Sequence, residues 1–126
     1  MKAKEIVKLL NAEAIHISDD AFLEKDYKFA FASDLMSDCL ALISHNQSQM
    51  VLLTGLCNIQ SLRTAEMLDI DFLVITRGKK LDQEIQQSLG EFNINTFSTA
   101  YTSFEASGIL YTNGIKATDV DKEILS

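Results

Sequence analysis

Apolar runs alternate along this chain with segments in which apolar residues recur every three or four positions. Between residues 50 and 111 one unit occurs three times: an apolar run, a cluster of small, hydroxyl or glycine residues, and a segment of helical period. Parallel strands joined by crossover helices have this pattern, because such strands are buried on both faces. It predicts an α/β fold, a three-layer sandwich around a mostly parallel central sheet of four to five strands with right-handed crossovers.

The same pattern places the individual elements. Strands are predicted near residues 28–32, 50–54, 71–76 and 95–98, after an opening helix that ends near Asn11 and a small strand at 14–17. Connecting helices are predicted from apolar positions within residues 36–43, 59–68 and 81–92. Asn58 is expected to cap the second of these, and Thr102 with Glu105 to form a capping box at the start of a last helix.

The end of the chain is patterned differently. Phe104, Gly108 and Tyr111 recur at helical spacing, so they are expected on the inner face of the last helix. Residues from about 115 to 126 are polar, and they are predicted to form a tail that contains at most one weak helix.

Composition is that of a globular protein with one domain over residues 1–126, since 47% of the residues are hydrophobic and 23% are charged. No apolar run reaches the roughly 18 residues of a membrane span, and the first residues are amphipathic, so a cytoplasmic location is expected. The net charge of -7 argues against nucleic acid and anionic membranes as partners. A mononucleotide remains compatible, because backbone amides can hold a phosphate group.

Catalytic and metal-binding signatures are not found. The sequence lacks the glycine-rich dinucleotide motif and the triphosphate-binding loop. Two cysteines, Cys39 and Cys57, and two histidines, His16 and His45, are too few and too scattered for a zinc or iron-sulfur site. No cofactor is therefore expected, although Cys57 in a strand-to-helix loop and Ser33 remain candidate nucleophiles.

Small polar residues follow each predicted parallel strand, and these mark the candidate ligand site. Ligands of open α/β sheets bind outside the carboxyl ends of the strands, where the clusters are expected to converge. Arg77 is the side chain best suited to bind phosphate or carboxylate, although it could instead pair with Asp34 or Asp71. The alternative is that all of these are turn residues. The candidates are Ser33, Asp34, Thr54, Gly55, Asn58, Thr76, Arg77, Gly78, Ser98 and Thr99.

Five segments together resemble the DRTGG domain family, which is similar to the N-terminal domain of HPr kinase/phosphorylase. The resemblance covers essentially residues 1–114, and the segments that carry it are 33–41, 51–55, 64–70, 73–78 and 98–106. It implies an α/β sandwich, frequently dimeric, that acts as a regulatory or accessory module. Stand-alone relatives are associated with iron-only hydrogenase systems. The Asp-Arg-Thr-Gly-Gly run that names the family does not occur here.

The leading hypothesis is a non-enzymatic, homodimeric regulatory or accessory domain that binds a small anionic ligand, with nucleotides among the candidates, or a partner protein. A second hypothesis is an interaction subunit of a hydrogenase or redox assembly without a small ligand. The third is a small enzyme that uses Cys57 or Ser33.

Overall fold

The computed structural model describes residues 1–35, 49–78 and 80–118, which form four α-helices, one 3-10 helix and six strands. The α-helices are α1 (Ala3–Leu9), α2 (Ile59–Met67), α3 (Gln83–Phe92) and α4 (Ser103–Thr112), and the 3-10 helix covers Asp20–Glu24. The strands are β1 (Glu13–His16), β2 (Phe29–Ala32), β3 (Met50–Thr54), β4 (Phe72–Ile75), β5 (Asn95–Ser98) and β6 (Lys116–Ala117).

All six strands belong to one sheet in the order β1-β5-β4-β3-β2-β6. The four predicted strands, β2 to β5, are confirmed as parallel neighbours, and β3 and β4 at the centre are buried throughout. The predicted small strand is β1, which pairs antiparallel with β5 at one edge. At the other edge β6 pairs with β2, which brings the number of strands to six, above the expected four to five.

Helices cover both faces of the sheet, as the three-layer prediction requires. On one face α1, the 3-10 helix and α4 pack over a core that contains the aromatic rings of Phe22, Tyr27, Phe72 and Phe97. On the other face α2 and α3 bury leucine and isoleucine side chains against β3 and β4. Each central strand therefore supplies alternate side chains to two separate cores.

The prediction for the inner face of α4 is wrong. Ala106 and Leu110 are the buried residues of this helix, whereas Phe104 is 88% exposed and Tyr111 is 74% exposed. Apolar residues occur on nearly all sides of α4, so their spacing does not distinguish the face that packs on the sheet from the face that does not.

The region after α4 also differs from expectation. Residues 116–117 form β6 rather than the start of a weak helix, because the Thr118 amide donates to Ala30 O and continues the pairing with β2. The sequence pattern does not predict this short edge strand, because the residues around it are mostly polar. The rest of the predicted tail and the helix predicted over 36–43 lie outside the described residues, as do Cys39 and His45.

Asp71 anchors the edge of the sheet at which the parallel strands begin. Its carboxylate accepts a hydrogen bond of 2.8 Å from the Tyr27 hydroxyl and forms an ion pair with Lys25 Nζ at 2.6 Å. Burial, helped by the Asp71 charge, raises the pKa of Tyr27. Asp71 therefore pairs with Lys25, and not with Arg77, which follows the opposite end of β4.

Candidate functional site

The structure brings the predicted site residues to one edge of the sheet, where β2 to β5 end. Ser33 and Asp34 follow β2, Thr54 ends β3 and Gly55 follows it, residues 76–78 follow β4, and Ser98 ends β5. Parallel register between these strands sets this arrangement, since it aligns their carboxyl ends.

Asp34, Gly55 and Arg77 form a contact group that we call the Gly55 cluster. Gly55 donates its amide to Asp34 Oδ1 at 2.7 Å, and its carbonyl accepts from Arg77 Nη2 at 3.5 Å. A Cβ atom at position 55 would lie 2.6 Å from Arg77 Nη2 and 3.2 Å from Asp34 Oδ1. Glycine at this position thus leaves room for the close approach of two charged side chains, which make no ion pair with each other within the described residues.

The loop that carries Arg77 is held in an unusual backbone conformation. Arg77 and Gly78 have positive φ angles of 66° and 62°, a region that costs a non-glycine residue about 1 kcal/mol or more. The Arg77 amide donates to Tyr101 O at 2.8 Å, and the Gly78 amide donates to Thr99 O at 2.7 Å. These bonds fix the loop after β4 against the loop after β5.

Five of the other candidates already have partners within the protein. The Asn58 side chain accepts from the Ser61 amide and forms one half of a capping box at the start of α2, as its predicted role as a helix cap requires. Four hydroxyl groups are also engaged: Ser33 with Leu35, Thr54 with Leu56, Thr76 with Ser103, and Thr99 with the carbonyl of Leu10. These contacts are compatible with the alternative interpretation of these positions as turn residues, and a role in ligand binding stays a prediction.

The last two candidates, Gly78 and Ser98, line a cavity of about 430 Å³ at this edge. Asn11, Glu13 and Lys80 also line it, and sequence reasoning does not identify them as site residues. Glu13 reaches the site because β1 pairs antiparallel with β5, which places Glu13 beside Ser98. The one available signal was the position of Lys80, three residues beyond Arg77 in the same predicted loop.

Cys57 and Ser33 do not have the surroundings of activated nucleophiles. Cys57 is half-buried, and burial raises the pKa of its thiol to about 11, against a smaller lowering by a hydrogen bond with Ser61. Ser33 Oγ is bonded to the backbone of Leu35. The histidine within the described residues, His16, lies in β1 next to Gly90 of α3.

Two further features bear on the class of site. Across residues 1–35, 49–78 and 80–118, no three His, Cys, Asp or Glu side chains are grouped so that they could hold a metal ion. None of the helices in these ranges has the length and apolar character needed to cross a membrane.

The chain matches no family model and no curated protein. It is similar to a crystal structure of the CBS and DRTGG domains of the regulatory region of Clostridium perfringens pyrophosphatase, complexed with the activator diadenosine tetraphosphate. The TM-score is 0.65 at 20% sequence identity, over 86% of this chain and 45% of that chain. The likeness shows that the chain has an α/β fold found in that regulatory region, and that it corresponds to less than half of the neighbour's length.

Proposed function

We propose that this chain is a non-enzymatic regulatory domain that binds a small phosphate-containing ligand, a nucleotide in the first instance, at the carboxyl ends of β2 to β5. The observation that carries the proposal is the fold shared with a regulatory region that was solved with a nucleotide activator. A cytoplasmic location and an extent of one domain over residues 1–126 stay predictions.

The geometry of the strand ends supports this function. Arg77 is exposed, and within residues 1–35, 49–78 and 80–118 its guanidinium makes one long hydrogen bond of 3.5 Å to Gly55 O, which leaves several of its five N–H donors without a partner in these ranges. The cavity of about 430 Å³ begins at the next residue, Gly78, and has the size of small-ligand sites. A cation beside a cavity suits an anionic ligand with a larger uncharged part.

The enzyme hypothesis has less support. A thiol whose pKa is near 11 is almost entirely protonated at neutral pH, and the Ser33 hydroxyl donates its hydrogen bond to the carbonyl of Leu35 rather than to a base. Activation of a serine or cysteine needs such a base or a lowered pKa.

Ligand-dependent stability tests the proposal. Adenosine mono-, di- and triphosphate and diadenosine tetraphosphate are each added to the wild-type protein, and unfolding is followed by thermal shift with calorimetric titration of any hit. A ligand at one hundred times its dissociation constant should stabilise the protein by about 2.7 kcal/mol.

Arg77→Ala should remove most of that stabilisation and leave the stability of the free protein nearly unchanged, because Arg77 is exposed. Arg63→Ala is the matched control, since Arg63 is an exposed arginine on α2. Equal shifts in wild type and Arg77→Ala would place the ligand away from Arg77. If neither these compounds nor pyrophosphate binds, the proposed function is overturned.

One surface favours a second candidate, association with another copy of this chain. An apolar groove of about 300 Å³ lies between α4 and the strands β2 and β6, and its walls include Phe104, Gly108, Tyr111, Ala30 and Ala32. Lys116 is the one charged residue among the described residues that line it, although the protein carries a net charge of -7. A second copy is the occupant that we propose, because a mostly apolar face brings few like charges together when identical chains associate.

Sedimentation or light scattering distinguishes this candidate from a monomer. Phe104→Glu should convert a dimer into a monomer, whereas Met67→Glu should not, because Met67 is a similarly exposed apolar residue (72%) on the opposite layer. A wild-type protein that is monomeric at high micromolar concentration would exclude the homodimer. The groove would then favour the hypothesis of an interaction subunit, for which a hydrogenase or redox assembly is the partner suggested by sequence resemblance alone.

A further inference from the structure

The cavity at the ends of β4 and β5 differs from the rest of the strand edge because several of its polar side chains make no hydrogen bond in the part of the chain that the structure describes. Within the described residues, the side chains of Asn11, Glu13, Lys80 and Ser98 make no hydrogen bond and no ion pair. The other hydroxyls of the edge are all bonded to the protein. Free polar groups are therefore concentrated where there is also space for a ligand.

These groups come from different elements and differ in chemistry. Glu13 is supplied by β1, Ser98 by the end of β5, and Lys80 by the segment before α3. Glu13 and Lys80 carry opposite charges and are exposed, so neither has lost its hydration. A ligand that uses both must present an anionic group to the lysine and hydrogen-bond donors to the carboxylate.

Apolar atoms complete the lining. Ile15 lies two residues after Glu13 in β1, and Leu81 directly follows Lys80; both are partly buried in the core beneath α2 and α3. Their exposed parts offer a surface for a flat ring. The cavity thus combines a carboxylate, a cation and an apolar surface.

We infer that this cavity is the nucleoside subsite of a ribonucleotide, with Glu13 accepting hydrogen bonds from the ribose hydroxyls, Lys80 beside the phosphate, and Ile15 and Leu81 against the base. The inference rests on the proposed function, because it assigns the nucleoside part of the ligand to this cavity and the far phosphate groups to Arg77 in the neighbouring Gly55 cluster. Gly78 lines the cavity and is bonded in sequence to Arg77, so a phosphate group that leaves the cavity past Gly78 approaches the Gly55 cluster. A carboxylate is the usual acceptor for a pair of ribose hydroxyls.

The sugar provides the test. Dissociation constants are measured by calorimetry for the nucleotide that binds best, for its 2′-deoxy analogue and for pyrophosphate, with wild type, Glu13→Gln and Lys80→Ala. Glu66→Gln is the matched control, since Glu66 is an exposed glutamate on α2.

The wild-type protein should bind the ribonucleotide about tenfold or more tightly than its 2′-deoxy analogue, because the analogue lacks the 2′-hydroxyl and so loses a hydrogen bond to the charged Glu13 carboxylate. Glu13→Gln should abolish that preference. Lys80→Ala should weaken the binding of the ribonucleotide and of its 2′-deoxy analogue by the same factor. Pyrophosphate binding should be insensitive to Glu13→Gln, and Glu66→Gln should behave as wild type throughout.

A wild-type protein that binds ribose and deoxyribose forms equally, or a Glu13→Gln variant that keeps the preference, overturns this inference and leaves the proposed function standing. Binding of pyrophosphate without binding of any nucleotide overturns it as well, while a phosphate site at Arg77 survives. If no phosphate compound binds, the proposed function fails, and this inference fails with it.

Discussion

At position 55 the space left by neighbouring charged groups decides which residue is tolerated. A methyl group there would meet Arg77 Nη2 at 2.6 Å, but that atom is the end of a flexible side chain. Gly55→Ala should therefore lower the free energy of unfolding by about 1 kcal/mol, the low end for overpacking. In an Arg77→Ala background the same substitution should cost less by about 0.5 kcal/mol or more, because the closest contact is gone.

Chemical denaturation of the four proteins in this cycle measures the coupling. Gly108→Ala is the control, since a Cβ atom at position 108 of α4 would have no neighbour within 4 Å. That substitution should stabilise the protein by about 0.5 to 1 kcal/mol through helix propensity. Strict additivity of Gly55→Ala and Arg77→Ala would mean that the guanidinium does not crowd Gly55 in solution.

Cys57 offers a test of the electrostatics at the same edge. A thiol whose pKa is raised to about 11 has less thiolate at every pH below 11 than a free cysteine, whose pKa is about 8.5. Alkylation of Cys57 by iodoacetamide at pH 8 should be about two orders of magnitude slower than that of a free cysteine. It should accelerate about tenfold for each pH unit until the pH approaches 11.

Peptide-level mass spectrometry separates Cys57 from Cys39, and the same protein in denaturant gives the reference rate. Rapid labelling of Cys57 in the native protein at pH 8 would contradict the raised pKa. It would also revive the hypothesis that this cysteine is a nucleophile.

Helix starts are the elements at which sequence and structure agree most closely. Asn58 with Ser61 and Thr102 with Glu105 both form capping boxes. The amides at a helix start have no partner within the helix, so each side chain of the pair accepts a hydrogen bond from the backbone amide of the other residue, three positions away. Asn58→Ala should lower the free energy of unfolding by about 1 kcal/mol.

The control for that substitution is Gln60→Ala at an exposed position of α2, which should change stability by less than about 0.5 kcal/mol. Denaturant unfolding measures both. An unchanged stability for Asn58→Ala, together with a loss of ligand binding, would assign Asn58 to the ligand site rather than to the helix cap.

Elements whose position depends on distant parts of the chain were harder to predict. The runs of β3 and β4 are apolar at every position except Thr54, so they can be recognised from the local sequence alone. By contrast, β6 has two exposed residues, and its existence depends on pairing with β2 more than 80 residues earlier in the chain. The face of α4 likewise depends on where the helix meets the sheet, since its own apolar residues surround it.

For the molecule as a whole, stability depends on contacts at the edge opposite the candidate site. Tyr27 is fully buried and donates to Asp71, which also pairs with Lys25. Tyr27→Phe should lower the free energy of unfolding by about 1 to 2 kcal/mol, because the carboxylate loses a hydrogen bond. Tyr111→Phe should have almost no effect, as Tyr111 is 74% exposed.

Thermal or urea unfolding at neutral pH compares the two variants. Equal stability losses would contradict a specific role of the Tyr27 hydroxyl. Nucleotide affinity should be the same in both variants, because neither residue lies at the carboxyl ends of the strands.

The candidate site shows the limit of prediction at the scale of the molecule. Strand ends could be located from Thr54, Gly55 and Ser98, because parallel strands end at a common edge. The cavity could not be located from the sequence, because Glu13 reaches it through an antiparallel pairing of residue 13 with residue 98. Local patterns identify the strands, whereas the order of the strands decides which side chains meet.

The hydrogen bonds that fix residues 77 and 78 have a mechanical consequence. Two backbone bonds to the carbonyls of Tyr101 and Thr99, and a third bond of 3.0 Å between Thr76 and Ser103, connect the loop after β4 to the first turn of α4. The loop and the start of α4 cannot separate unless these bonds break. A molecule that moves the backbone of residues 77 and 78 must therefore either break these bonds or carry the start of α4, and with it Phe104 in the wall of the groove, along with the loop.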